Sequence, residues 1–166
     1  MKAIILFMIL ILIGLFLLVV LLPPAHGYEL EEIKGITVDL KYAVIHHTAG
    51  SDVSAREIDF MHKSHTYTDE RGYIQHWDGI GYHFVIRADG TIEEGRSLTK
   101  IGCHAPGRND WVGIVLTGEN YFTLYQIISL KELLKELGTQ HIERHHEECP
   151  GLGLDVEGLQ EWLKGE

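Results

Sequence analysis

Tyr42-Ala-Val-Ile-His-His-Thr-Ala-Gly50 is the stretch around which the chain reads. Its apolar half, Tyr42 to Ile45, reads as a short buried strand. The strand delivers His46 and His47 to a Thr-Ala-Gly-Ser turn that must end it. Neighbouring strand residues point to opposite faces, so only one of the two histidines can face a site at that end. Far downstream, Arg144-His-His-Glu-Glu-Cys-Pro-Gly151 supplies a second histidine pair and a cysteine. The two stretches are expected to meet around one metal ion.

Upstream of this strand, Tyr28 to Lys41 is charged and mixed and reads as a linker. Before it, Ala3 to Leu22 carry no charged or strongly polar side chain, and Pro23-Pro24 ends the run. Twenty helical residues span about 30 Å, enough to cross a bilayer. Lys2 and Ala25-His-Gly27 also suit a secretory signal, but the apolar run is long for one. A signal-anchor over residues 1–27 is therefore preferred to a cleaved peptide. Lys2 on the short side places the N-terminus inside and the domain outside. The expected localisation is exported or membrane-anchored, with the domain outside the cytoplasm.

Downstream, Ser54-Ala-Arg-Glu57 matches a capping box, and the spacing of Ile58, Met61, His62 and His65 predicts a helix over Ala55 to Ser64. His62 and His65 are a possible ligand pair on one turn, though such histidines more often pack beside a core stripe. Thr66 to Gly79 reads as a polar, aromatic loop. Ile80 to Arg87 alternates as a strand, Asp89-Gly90 is a hairpin turn, and Thr91 to Glu94 returns. Val112 to Thr117 reads as a central strand. Thr123 caps a helix with Ile127, Leu130, Leu133, Leu134 and Leu137 on one face, ended by Gly138. Ile142 to His145 is a short strand, and a last helix begins at Asp155. Strands interleave with helices, so residues 42–166 are expected to form a single α/β domain with a central mixed sheet flanked by helices.

The formal net charge of −10 argues against a nucleic-acid partner, since no basic patch is present to neutralise phosphates. There are 11 histidines, and all but His26 follow residue 45. The 2 cysteines, Cys103 and Cys149, could form one disulfide in an exported protein, or Cys149 could be a metal ligand. Only His146, Glu147 and Glu148 separate His145 from Cys149, a gap similar to that within known zinc sites. A catalytic zinc site takes three protein ligands and leaves a position for water. With His46 from another strand end, the donors for such a site are present.

From Tyr42 onward the chain resembles the zinc-dependent N-acetylmuramoyl-L-alanine amidases, a family of short phage endolysins and animal peptidoglycan recognition proteins. Ile45-His-His-Thr-Ala49, Gly81-Tyr-His-Phe84, Arg87 to Arg96, Gly102-Cys-His-Ala105, Val112-Gly-Ile-Val115 and His145…Cys149-Pro-Gly151 carry the resemblance, in the family's order. The resemblance implies one Zn2+ held by His46, His145 and Cys149, with Tyr82 beside the water and the scissile carbonyl. His47, His83 and His146 adjoin matched residues and should point to the other face. His104 matches a histidine at the cleft rim, suited to substrate contact or proton transfer. Cys103 stands where the family carries a small residue.

One departure concerns the loop before Cys149, which is shorter than the family's. Glu147 stands where a lysine or threonine is usual. A carboxylate cannot donate to an oxyanion unless protonated. Either Glu147 or Glu148 then serves as general base, or His104 or Arg108 supplies the missing donor. The implied activity is hydrolysis of the amide between N-acetylmuramic acid and L-alanine, with peptidoglycan as substrate and the enzyme acting as a monomer, tethered to the membrane by its N-terminal helix. A non-catalytic peptidoglycan-binding module of the same fold is the alternative. A metal-free, disulfide-stapled interaction domain is a third reading.

Overall fold

The computed structural model describes residues 35–68 and 71–165. Strand β1 (Asp39–His47) is an interior strand of its main sheet. It pairs in parallel with β6 (Trp111–Leu116) on one edge and β7 (His141–Arg144) on the other. Beyond β6 lies β4 (Phe84–Ile86), also parallel, and β5 (Ile92–Glu94) closes that edge antiparallel. The order β5-β4-β6-β1-β7 is thus the expected mixed sheet. Ala43, Val44, Ile45, Val112, Ile114, Val115 and Leu116 have no measurable exposure, and Gly113 among them is buried too. Such continuous apolar runs belong to parallel strands covered on both faces.

The two faces are covered by different helices. One packs against α2 (Leu124–Leu137) and α3 (Val156–Lys164) in a core that includes Ile45, Phe84, Ile114, Leu130, Leu134 and Leu159. The other receives α1 (Ala55–Ser64) over a smaller cluster, Ala55, Ile58, Ile80, Val85 and Val115. Helix α1 starts at the expected capping box, with Ser54 and Glu57 bonded reciprocally. Helix α2 has a second such box between Thr123 and Gln126, and ends where Gly138 turns left-handed (φ 69°) so that its N–H reaches the Leu134 and Lys135 carbonyls.

Three boundaries differ from expectation. Strand β1 begins at Asp39, not Tyr42, because Val38 is already buried and Asp39 pairs with Trp111. An irregular register between Asp39 and Ala43 breaks the alternation that would have revealed this. The Thr66–Gly79 loop contains a hairpin, β2 (Thr66–Thr68) with β3 (Ile74–His76). Regular pairing in the next strand starts only at Phe84, so Ile80 to His83 are not in the ladder. The N-terminal apolar helix and most of the linker lie outside the described residues. No helix among the described residues is long and apolar enough to cross a membrane.

Gln126 ties α2 to the sheet: its buried Nε2 donates to Thr117 O at 2.8 Å and Ile86 O at 3.2 Å. Gln126→Leu withdraws that donor from both carbonyls. Urea denaturation is expected to show a loss of about 1–3 kcal/mol.

Candidate metal centre

The site forms where β1 and β7 end side by side. His145 lies just past β7, and its N–H still donates to Ile45 O at 3.2 Å. The chain then reverses in a tight turn closed by two mutual bonds, His146 N–H to Cys149 O at 3.2 Å and Cys149 N–H to His146 O at 3.0 Å. This turn returns Cys149 to His145 within so few residues. His46, 1 % exposed, reaches the same place from β1. One donor atom from each of His46, His145 and Cys149 lies within 4.8 Å of the other two. Both cysteines are free thiols, Cys149 buried and Cys103 exposed, so the disulfide alternative is not what the structure contains.

Hydrogen bonding fixes which nitrogen His46 presents. His104 Nε2 lies 3.2 Å from Trp111 O, and a carbonyl only accepts, so Nε2 carries the proton. His104 Nδ1, 3.1 Å from His46 Nε2, is then the acceptor. His46 therefore donates through Nε2 and keeps its Nδ1 lone pair for a metal, with the orientation given to a ligand by the residue behind it. A second tautomer is fixed nearby. His83 Nδ1 accepts from Gly113 N–H at 2.9 Å, and its Nε2 donates to Lys100 O at 3.2 Å.

His104 therefore lies behind His46, only 8 % exposed, and not at the rim of the cleft. Two glycines make room for its ring: a Cβ on either Gly102 or Gly113 would come within 2.5 Å of His104 Cδ2. Asn109 Oδ1 holds the loop by accepting from the N–H groups of His104 and Ala105, each at 2.8 Å. Asn109 has no signal in the sequence pattern. His83, expected to point away from the ligand face as a supporting or core histidine, is buried outside the trio, its ring 5.7 Å from that of His104.

Burial, first of all, pushes His46 well below the ordinary imidazole value of 6.5, and the neighbouring histidines and Arg108 add to this. Burial brings His83 and His104 down to about 4 and lowers His145 as well. These rings are held neutral, the state a ligand requires. Burial raises the Cys149 thiol, opposed by a hydrogen bond from the His47 backbone. A His/His/Cys set with a lone pair fixed on His46 fits a four-coordinate metal ion with one position left for solvent.

Tyr82 lies beside the trio. Its ring centroid is 4.9 Å from that of His46, and burial, then the Cys149 charge, pushes its hydroxyl up to about 12. Tyr82, His47, Thr48, Ser51, Ile58 and His62 line a cleft of about 240 Å³ along α1. His62 is outside the donor trio. Its Nδ1 accepts from Gly81 N–H at 3.1 Å and its ring sits 5.6 Å from Tyr82, a buttress that the helical spacing of His62 and His65 did not distinguish from a surface pair. Arg108 spends donors on Glu143 Oε2 at 2.7 Å, Arg144 O at 3.1 Å and His145 O at 2.8 Å, clamping the backbone under His145. Glu147, Glu148 and His146 are exposed in the turn, and His47 is half-buried with a buried Nδ1 that makes no hydrogen bond. Asp52 pins the turn after His47 through Arg87 Nε at 2.8 Å and Thr117 Oγ1 at 2.6 Å. A roomier groove of about 370 Å³ between β7 and α3 holds the Arg144–Glu157 ion pair, away from the trio.

Fold and site together define an α/β domain with a histidine–histidine–cysteine metal-donor site at one end of its parallel strands. Residues 37–152 match the family model described as N-acetylmuramoyl-L-alanine amidase, and the chain belongs to that family. The endolysin of Klebsiella phage KP32 is 35% identical over 131 residues, 71% of this chain and 80% of that one. Peptidoglycan-recognition protein SC1a of Drosophila melanogaster is 32% identical over 143 residues, covering 74% of this chain and 75% of its own. Among solved structures, the endolysin N-acetylmuramoyl-L-alanine amidase LysCS from Clostridium intestinale superposes with a TM-score of 0.64 at 32% identity, covering 84% of this chain and 93% of that one.

Two outcomes are expected. His104→Ala removes the acceptor behind His46, so metal affinity measured by chelator competition should fall about 10–100-fold. Above pH 6.5 His83 and His104 are neutral whether folded or unfolded and contribute nothing. Below it the unfolded chain takes up protons that the folded one refuses until about pH 4, so stability is lost as pH falls through that window. The urea midpoint should accordingly be lower at about pH 5 than at about pH 7.

Proposed function

We propose that this protein hydrolyses the amide between the lactyl group of N-acetylmuramic acid and L-alanine in bacterial peptidoglycan, using one Zn2+ held by His46, His145 and Cys149. The observation that carries the reading is the convergence of those three donors, from two distant stretches of the chain, within 4.8 Å, with the Tyr82 ring beside His46. A zinc ion supplies Lewis acidity to the scissile carbonyl and a nucleophile at neutral pH. The remaining tasks fall to the chain itself. Tyr82, kept protonated by its raised value, donates its hydroxyl to the oxygen on which negative charge develops. His104 acts through His46 by holding its orientation, not by touching substrate. Glu147 or Glu148, both exposed in the turn between two ligands, is proposed as the acceptor of the proton released by water. Arg108 keeps the His145 backbone in place and, by its charge, opposes protonation of the ligand rings.

The relatives named endolysin support a lytic role at the cell wall, outside the cytoplasm. On this reading the apolar run over residues 3–22 keeps the domain at the membrane, facing its polymer. The decisive experiment measures zinc content and release of peptides from purified peptidoglycan. Cys149→Ser should lose both metal and activity, and cleavage equal to the parent would refute the ligand set. Tyr82→Phe should retain zinc while kcat falls about 10²-fold.

A further inference from the structure

Between α1 and Tyr82 the chain detours through the β2–β3 hairpin, which buries almost nothing. A hairpin of two short strands contributes little stability alone. Yet this one holds Tyr67, Tyr73 and Ile74 in water at 50%, 64% and 71% exposure. The register shows how these side chains are sorted. Tyr67 lies opposite Gln75 and Thr66 opposite His76, and the Trp77 N–H continues the pairing to His65 O at 3.4 Å. Side chains alternate between faces. His65, Tyr67, Tyr73, Gln75 and Trp77 therefore share one face, and Thr66, Thr68, Ile74 and His76 the other. The His65 and Trp77 rings, 5.8 Å apart, agree with this assignment.

The aromatic face runs on into the cleft. Trp77 meets His62 edge-on at 5.0 Å, and His62 is 5.6 Å from Tyr82. The Arg71 guanidinium sits 5.8 Å from the Tyr73 ring centre, a positive charge beside this face in a chain of net charge −10.

We infer that this face is the docking platform for the glycan strand of peptidoglycan, with sugar rings lying on Tyr67 and Tyr73 while the peptide stem enters the cleft at Tyr82. The inference rests on the amidase reading. Pyranose rings present C–H-rich faces that pack on aromatic rings, and their hydroxyl and acetamido edges match polar neighbours such as His65 and Gln75. Continuity selects the occupant. The scissile amide hangs from a sugar of the strand, so with the amide at Tyr82 the strand must leave along an adjoining surface. Through His62 and Trp77, the hairpin face adjoins it.

The test compares the parent with Tyr67→Ala/Tyr73→Ala, two exposed positions, after thermal denaturation has shown equal stability. The substrates are insoluble peptidoglycan and a soluble single-sugar muramoyl peptide. Two aromatic contacts of about 1 kcal/mol each correspond to roughly a tenfold or greater loss of retention on the polymer and of kcat/KM for it. Cleavage of the single-sugar substrate should be unchanged. Unchanged retention and polymer cleavage would overturn the platform, as would equal impairment on both substrates. A parent dimer that the double variant dissolves would reassign the face to a second copy. If the parent cleaves neither substrate, the amidase reading fails by itself. Retention on the insoluble polymer then still decides the platform, supporting it if the double variant is released and overturning it if both proteins stay bound.

Discussion

The pairing of β1 on both of its edges is the constraint from which the site follows. Because β6 and β7 run parallel to it, their ends lie at a common level, and the His145 N–H to Ile45 O bond sets that level for the second ligand. Parallel strands need crossovers, and these supply the helices that cover both faces. The site thus stands on a strand that cannot shift without breaking two ladders. That rigidity is what a metal-donor trio needs, since the donors must be held in place before the ion arrives.

Behind the trio the structure uses burial as its electrostatic instrument. Among the described residues no carboxylate is bonded to His46, His83 or His104. Their partners are carbonyls, an amide N–H and one another, and desolvation is the largest influence on each ring. A carboxylate in that position would favour the protonated ring and compete with metal. Carbonyl partners set the tautomer without that effect. The arrangement demands close packing, which Gly102 and Gly113 provide by leaving space for the His104 ring.

Much of this was legible in the sequence for local reasons. The apolar run of β1, the capping box of α1 and the Thr123 cap of α2 are signals contained within a few residues, and the structure follows them. The family resemblance named His46, His145 and Cys149 together, and their donor atoms do converge. What was hidden depends on distant partners. The place of His104 is set by Gly113 and Trp111 on another strand, so its own loop could not show that it lies inward. The β2–β3 hairpin buries neither face, leaving no alternation to read. The start of β1 is masked by its irregular register, and the role of His62 as a buttress exists only because Gly81 and Tyr82 come to rest against α1.

The two main-chain hydrogen bonds between His146 and Cys149 bear on how the domain can change. They close the turn without using any side chain, so the bend that brings residue 149 back to His145 does not depend on the thiol. Exchange of the cysteine removes a donor from the trio while leaving the turn's own bonds in place, which separates loss of the metal site from loss of the fold.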